Sequence, residues 1–530
     1  MFTGLSWYVA PDGNSRGNGS RLRPWDIVTA FSGPRNVLPG DVIWLLPGTY
    51  ELDRTLVAEL KGASGEPVVV RGEPGRAAVV LDFTKNRERV ALRLRGAHAT
   101  YSDFEITNVS EERVSLEPGD AGDPRGTGVL GEQGLGVELV RLKVSNFGTS
   151  LFESRASGLV VYGCEFSNSY WEGPDRTHGP GLYLRNPSGA PRKRVENCFV
   201  FQHGRQGLQG YGSTPFAEMD IVGNVFFNNG VGSDGFHRNI MFGNAGDQHT
   251  EVVFEHNVAF LAEGGARGDQ FNLFGGVGGS NGLRIVDNTI AHPGRPALFV
   301  QRANGMSMSG NRVVGGITLT SGDGVTVSTD AEVQSEYPEN TYYFNNRRPV
   351  ETWTHVRRNE RIPDAWDRRY ELHVAVLNWK RKAFVGVDLQ AEELAGRIVS
   401  GAVVRVRSVQ HPEEERVGVY RDGVVEVPMT GWPEPRAHGR DPSTNPLPPT
   451  FPLFGGFHLD WEAEGNAASR NPDPLEDPGL GLPREDARLA REVVWAEADP
   501  DARAKLRVER SRAWRAAAEQ LRHYGAASVS

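Results

Sequence analysis

The sequence predicts an all-β chain. Residues 1–345 read as a parallel β-helix with an N-terminal cap, 371–430 as a small antiparallel β-domain, and the C-terminal tail as helical. The solenoid rests on a phrase that recurs between residues 97 and 327: apolar, any residue, apolar, often Asn, then a turn. Its marker position falls at Phe104, Leu142, Cys164, Cys198, Asn224, Asn257, Asn288 and Asn311, in steps of 38, 22, 34, 26, 33, 31 and 23 residues. A step near 22 suits one minimal coil and a longer step suits a coil with an insertion. One repeat cannot bury its own apolar face, so the repeats stack. The 64 glycines and frequent Asn-Gly and Asp-Gly pairs supply the sharp turns that such a stack needs.

The elements follow in chain order. RPWDIVTAFSG is a short amphipathic helix suited to cap the open end of a solenoid, and VLPGDVIWLL turns at Pro39-Gly40 into a buried strand. PVVVRG, AAVVLD, VALRLRG and ATYSDFEI supply the first coils. Insertions interrupt the coils at 109–127 and 168–180. Residues 346–370 read as a polar, basic linker, 371–430 as short alternating strands, and 431–482 as Pro-rich extended chain. Residues 484–524, rich in Ala, Arg, Glu and Leu, read as helix.

Charge and cysteines narrow the function. The net charge of -9 is spread without blocks, which offers no attraction for nucleic acid or an anionic membrane. No 18-residue apolar run spans a bilayer. The opening MFTGLSWYVAPDG lacks the pattern of a signal peptide, although an exported chain, secreted or periplasmic, is expected from the rest of the reading. Cys164 and Cys198 occupy equivalent places in consecutive coils, about 4.8 Å apart. They form either a stacked pair of thiols or a disulfide.

A second register gathers polar groups. GLYLRN, GLQGYG, GFHRNI, QFNLFG and ALFVQR place Leu182, Leu208, Phe236, Phe271 and Leu298 inward. Tyr183, Gln209, His237, Asn272 and Phe299 then face out, followed by Arg185, Tyr211, Asn239, Phe274 and Gln301. Asp234 and Asp269 fall just before their strands on adjacent coils. A carboxylate pair can divide acid and base roles, because like-charge repulsion raises one pKa. Each Asp can instead cap its turn, or the two can share calcium. His178, His203 and His237 can exchange protons near neutrality, or bond their own loops. Arg185, Arg205 and Arg238 can hold a substrate carboxylate. Tyr183, Tyr211 and Phe274 suit the apolar faces of sugar rings, with Gln209 and Asn272 answering hydroxyls. The Asn markers are structural. No zinc-spaced Cys/His motif appears, so calcium is the one metal considered.

WYVAPDGNSRGNGS, RPWDIVTAF, LPGDVIWLLPGTY, HGPGLYLRN and GLQGYG resemble the pectate-lyase-like superfamily of right-handed parallel β-helix proteins over about residues 7–345. LNWKRKAFVGVDL and VYRDGVVEVPM look like an accessory β-domain. The resemblance implies an enzyme on a polysaccharide or oligosaccharide. Glycoside hydrolysis by Asp234 and Asp269, tuned by His237 or His178, is the first expectation. Lyase β-elimination on a uronic-acid glycan is the second, with Arg185 or Arg238 neutralising the carboxylate and His178, Arg205 or Tyr211 taking the proton. Glycan binding without turnover is the third.

Overall fold

The computed structural model describes residues 4–462 apart from 74–77, 120–121, 154, 212–215, 231–237, 243–248, 263–271, 275–279, 302–304, 321–325, 346, 360–368, 390–397 and 436–446. Strands stack in parallel with in-register partners, forming the coils of a β-helix. An eleven-stranded sheet runs from Ser6–Val9 to Ser307–Ser309. Two further faces share the other sheet. One contains Lys143–Ser145, Glu165–Ser167, Phe199–Phe201, Val225–Phe227 and Val258–Phe260. The second contains Thr127–Gly131, Thr149–Glu153, Leu182–Leu184, Leu208–Gly210, Ile240–Phe242 and Asn272–Phe274. Both meet in the long strand Thr289–Gln301.

The marker positions from Cys164 to Asn311 form one continuous hydrogen-bonded ladder inside a corner. The N–H and Nδ2 of Asn224 both donate to Oδ1 of Asn257, at 2.9 and 3.0 Å. Asn257 does the same to Asn288, Asn288 to Asn311, and Asn311 to Asn340. At the other end Cys198 N–H donates to Asn224 Oδ1, and Cys164 N–H donates to Cys198 Sγ at 3.4 Å. Both cysteines are free, buried thiols. The residue before each marker adopts left-handed φ, at Asp103, Arg141, Gly163, Asn197, Gly223, His256, Asp287 and Gly310. That conformation turns the chain sharply between two sheets, and the ladder satisfies the backbone groups that the corner buries.

The helix Ile27–Phe31 caps the first coils. Asp26 accepts from Thr29 N–H at 2.8 Å, and Ile27, Ala30 and Phe31 are buried.

A seven-stranded sheet packs against the solenoid. Its order is Trp353–Arg358, Arg369–Leu377, Phe454–Glu462, Val403–Ser408, His411–Arg421, Val424–Pro428 and Phe384–Asp388. Every pairing in it is antiparallel. Its strands therefore come from the expected linker and the Pro-rich segment as well as from 371–430. One face buries Val374, Val404, Val425 and Leu459 in its own core. The other sets Ala375, Leu377 and Phe454 on Phe199, Phe227 and Phe260 of the solenoid. Phe454 lies 4.5 Å from Phe260 and 5.0 Å from Phe227 between ring centroids.

The fold class needs one correction. Among the described residues the only helices are Ile27–Phe31 and Asp330–Glu336, and the last element is a strand, Phe454–Glu462. Among the described residues the architecture is β-rich and holds no long C-terminal helix. The segment 484–524, on which it was placed, lies outside the described residues.

Candidate functional site

Strand register decides which side chains reach solvent, because a one-residue slip exchanges the faces. On the face of Leu182–Leu184, Leu151, Leu182, Leu208, Ile240, Asn272, Leu298 and Ile317 form the interior column. Leu182, Leu208 and Leu298 were expected there. Ile240 and Asn272 take the places given to Phe236 and Phe271, both of which lie outside the described residues.

The outward row is Arg93, Leu130, Phe152, Tyr183, Gln209, Met241, Leu273 and Phe299, one residue per coil. All are half-buried except Gln209, which is buried. The row is an open, mostly apolar stripe. Phe152 meets Tyr183 edge to face at 5.0 Å. The Arg185 guanidinium lies over both rings, 4.9 Å from the Tyr183 centroid and 5.5 Å from that of Phe152. Tyr183 O–H donates to the Tyr211 carbonyl at 2.8 Å. The Tyr211 side chain stands 45% exposed one coil from Arg185. Two polar atoms here have no protein partner among the described residues: Arg185 Nε and Gln209 Oε1.

The other expected site residues divide. Asn272 and Phe274 point inward, one residue out of the expected register. Asn272 Nδ2 donates to the Ala297 carbonyl at 2.9 Å, and Phe274 stacks on Phe242 at 4.5 Å. QFNLFG has apolar residues on both alternations, so its own pattern does not fix its register. His203 is buried in a corner. Its Nδ1 accepts from Ser169 N–H at 3.1 Å, and Nε2 faces the Phe166 carbonyl at 3.1 Å. With both ring nitrogens committed to backbone, it completes a second ladder with Asn229 and Asn239 instead of meeting a ligand.

His178 is 1% exposed, on the ribbon Trp171–Glu172 and Thr177–His178. It stacks on Trp171 at 3.8 Å, and its Nε2 lies 3.2 Å from Asp175 Oδ1. Against some desolvation, bonds from Gly119 N–H and His178 hold the Asp175 carboxyl down at about 2. Packing of its own loop accounts for this histidine. Arg205 and Arg238 are half-buried. Asp234, His237 and Asp269 lie outside the described residues.

Phe152, Met241 and Leu273 were not anticipated in the stripe. TSLFE alternates as a strand and carried the signal for Phe152, but only stacking against Leu182–Leu184 gives it a neighbour.

Calcium binds through six to eight oxygens. The described clusters able to hold an ion are Glu371/His373/His458 and Glu255/His256/Asp287. Both include imidazole nitrogen, so neither fits calcium.

These coils and corners define a parallel β-helix with a docked β-domain. Residues 7–139 match the family described as Pel9A-like, right handed beta helix region. Pectate lyase L of Dickeya dadantii (strain 3937) is 24% identical over 316 residues, covering 48% of this chain and 71% of that protein. A crystal structure of pectate lyase Pel9A is similar at 18% identity and TM-score 0.36, covering 58% of this chain and 79% of that one. A rhamnogalacturonan lyase structure is similar at 14% identity and TM-score 0.43, covering 58% and 81%. The chain is a parallel β-helix protein, similar over residues 7–139 to the Pel9A-like right-handed β-helix family.

Proposed function

We propose that this protein cleaves a uronic-acid polysaccharide by β-elimination on the open stripe. The observation that carries the reading is the Arg185 guanidinium over the Tyr183 ring, with Gln209 next in the outward row and with Arg185 Nε and Gln209 Oε1 lacking a partner among the described residues. A sugar acid offers the complement: a carboxylate for the guanidinium, a hydroxyl for the amide and an apolar ring face for the tyrosine. The curated relative, a pectate lyase, supports elimination over hydrolysis.

In the reaction Arg185 neutralises the uronate carboxylate and makes the adjacent carbon acid stronger. A base removes that carbon's proton, the electron pair forms the new double bond, and the glycosidic oxygen departs and is protonated. Tyr211, exposed one coil from Arg185, is our choice of base, because His178 is buried against Trp171. Asp234 and Asp269, with His237, stay proposed as the acid–base set of the hydrolytic alternative.

The test is digestion of polygalacturonate, alginate and neutral glycans, followed by ultraviolet absorbance of the unsaturated end and by mass spectrometry, with and without calcium. Elimination gives an absorbing product from a uronate polymer. Tyr211→Phe lowers kcat by about 10²–10⁴-fold with KM little changed. Water-added products without absorbance would replace this reading with hydrolysis, and binding without products would replace it with adhesion.

A further inference from the structure

Strand pairing in the docked sheet gathers three metal-type ligands at its contact with the solenoid. Glu371 and His373 are two residues apart on one strand and so share a face. His458 is the direct cross-strand partner of His373, with ring centroids 4.6 Å apart. Glu371 Oε1 lies 3.5 Å from His458 Nδ1 and 3.6 Å from His373 Nε2. Bonds of about 2.1 Å around a tetrahedral ion place ligand atoms about 3.4 Å apart. These two edges already have that length.

The remaining ring nitrogens are held as metal-bound imidazoles are held. His373 Nδ1 is 2.6 Å from the Asn197 carbonyl, so it carries the proton and leaves the Nε2 lone pair toward Glu371. His458 Nε2 is 2.8 Å from Glu165 Oε1, which directs Nδ1 toward Glu371. His458 Nδ1 is buried and has no hydrogen-bond partner among the described residues. The same is true of Asn359 Oδ1. Asn359 Nδ2 lies 2.6 Å from Glu371 Oε1 and 2.7 Å from His373 Nε2. Turning that amide over would bring its oxygen to the cluster as a fourth donor. A cavity of about 300 Å³ adjoins the group. Its lining holds six carboxylates (Glu73, Asp103, Glu105, Glu165, Glu371, Asp460) against four cations (Arg71, Arg141, Lys143, Arg407).

We propose that Glu371, His373 and His458 bind one zinc ion, with Asn359 completing the shell and with Glu165 and the Asn197 carbonyl of the solenoid orienting the two rings. Two imidazoles and one carboxylate favour zinc over calcium or magnesium. The ligands belong to the docked sheet and the orienting groups to the solenoid, so the ion ties the contact together.

The test uses the full chain, stripped with chelator and titrated with Zn²⁺ and Co²⁺ by calorimetry and visible absorbance. One equivalent of Zn²⁺ should bind, Co²⁺ should give tetrahedral d–d bands, and the melting temperature should rise on loading. His458→Gln and His373→Gln should abolish binding, and Glu165→Gln should weaken it about 10–100-fold. His256→Ala removes the mostly half-buried Glu255/His256/Asp287 cluster and should leave stoichiometry and bands intact. Should a ligand variant fail to fold, the Co²⁺ spectrum of His256→Ala decides by itself. Absence of saturable Zn²⁺ binding would overturn the proposal. So would binding lost in His256→Ala, or Co²⁺ bands of octahedral intensity. The cluster would then be a protonated His458 held between carboxylates.

Discussion

Two faces of one solenoid, built from the same coils, meet opposite surroundings. On the face of Phe199–Phe201 the outward positions Phe199, Phe201, Val225, Phe227, Val258 and Phe260 are as buried as the interior, because a second sheet covers them. On the face of Leu182–Leu184 the outward positions other than Gln209 stay half-open, and Arg185 Nε and Gln209 Oε1 have no protein partner among the described residues. The covered face holds the chain together, and the open one is available to a ligand. Substitutions on the first should therefore read out in stability, and on the second in binding.

The sharpest test of that division is Phe454→Ala. It empties the contact with Phe227 and Phe260 and should cost about 3–5 kcal/mol in chemical denaturation, as for a large buried aromatic ring. Leu273→Ala, on the open stripe, should change stability by less than about 1 kcal/mol. Equal losses at the two positions would erase the distinction.

Next in size is the ladder beneath both faces. Asn257→Ala leaves the Asn224 N–H and Nδ2 without their acceptor and the Ile221 carbonyl without its donor. A loss of about 1–3 kcal/mol in urea denaturation is expected, with turnover of the folded fraction unchanged. This part of the molecule was readable in the sequence. Asn spaced at coil length has few other uses, and the ladder even extends to Asn340, beyond the last marker. The docked sheet was less readable, because its strands are distant in the chain and Phe454–Glu462 follows a Pro-rich stretch. The hint lay in FVF, VFF and VAF. Strands buried on both faces lose their alternation, so such runs announce a covered sheet. The open stripe was half legible. Tyr183, Gln209 and Phe299 keep their expected places. Asn272 slipped by one residue because its strand alternates ambiguously, and His203 went to a corner that only the stacking creates.

The contact between the two layers also predicts a pH dependence. Burial alone would depress His458, but Glu165 and Glu371 outweigh it and raise the imidazole to about 9. Lys143, His373 and Asn359 pack around the same carboxylates and oppose or share that effect. The folded value lies above the unfolded value of about 6.5, so the folded state binds the extra proton. In metal-free protein this contribution is complete below about pH 6.5 and disappears as pH rises toward about 9. Thermal melts across that window should fall in wild type and flatten in His458→Gln.

The smallest effect belongs to the open stripe, and it is the one that bears on function. Tyr183 is half-buried, touches Phe152 and Arg185, and spends its hydroxyl on the Tyr211 carbonyl. Removing the ring in Tyr183→Ala takes away a platform worth about 0.5–1.5 kcal/mol, or about 2–10-fold in affinity for an oligouronate. Tyr183→Phe keeps the ring and loses only the hydroxyl's bond, so a sugar-stacking role predicts near-normal affinity there. If instead the hydroxyl matters because it fixes the Tyr211 backbone, Phe should be as damaging as Ala. Calorimetric titration of both variants with one oligosaccharide separates the two roles. A third result, unchanged affinity in Tyr183→Ala, would move the ligand off this stripe altogether.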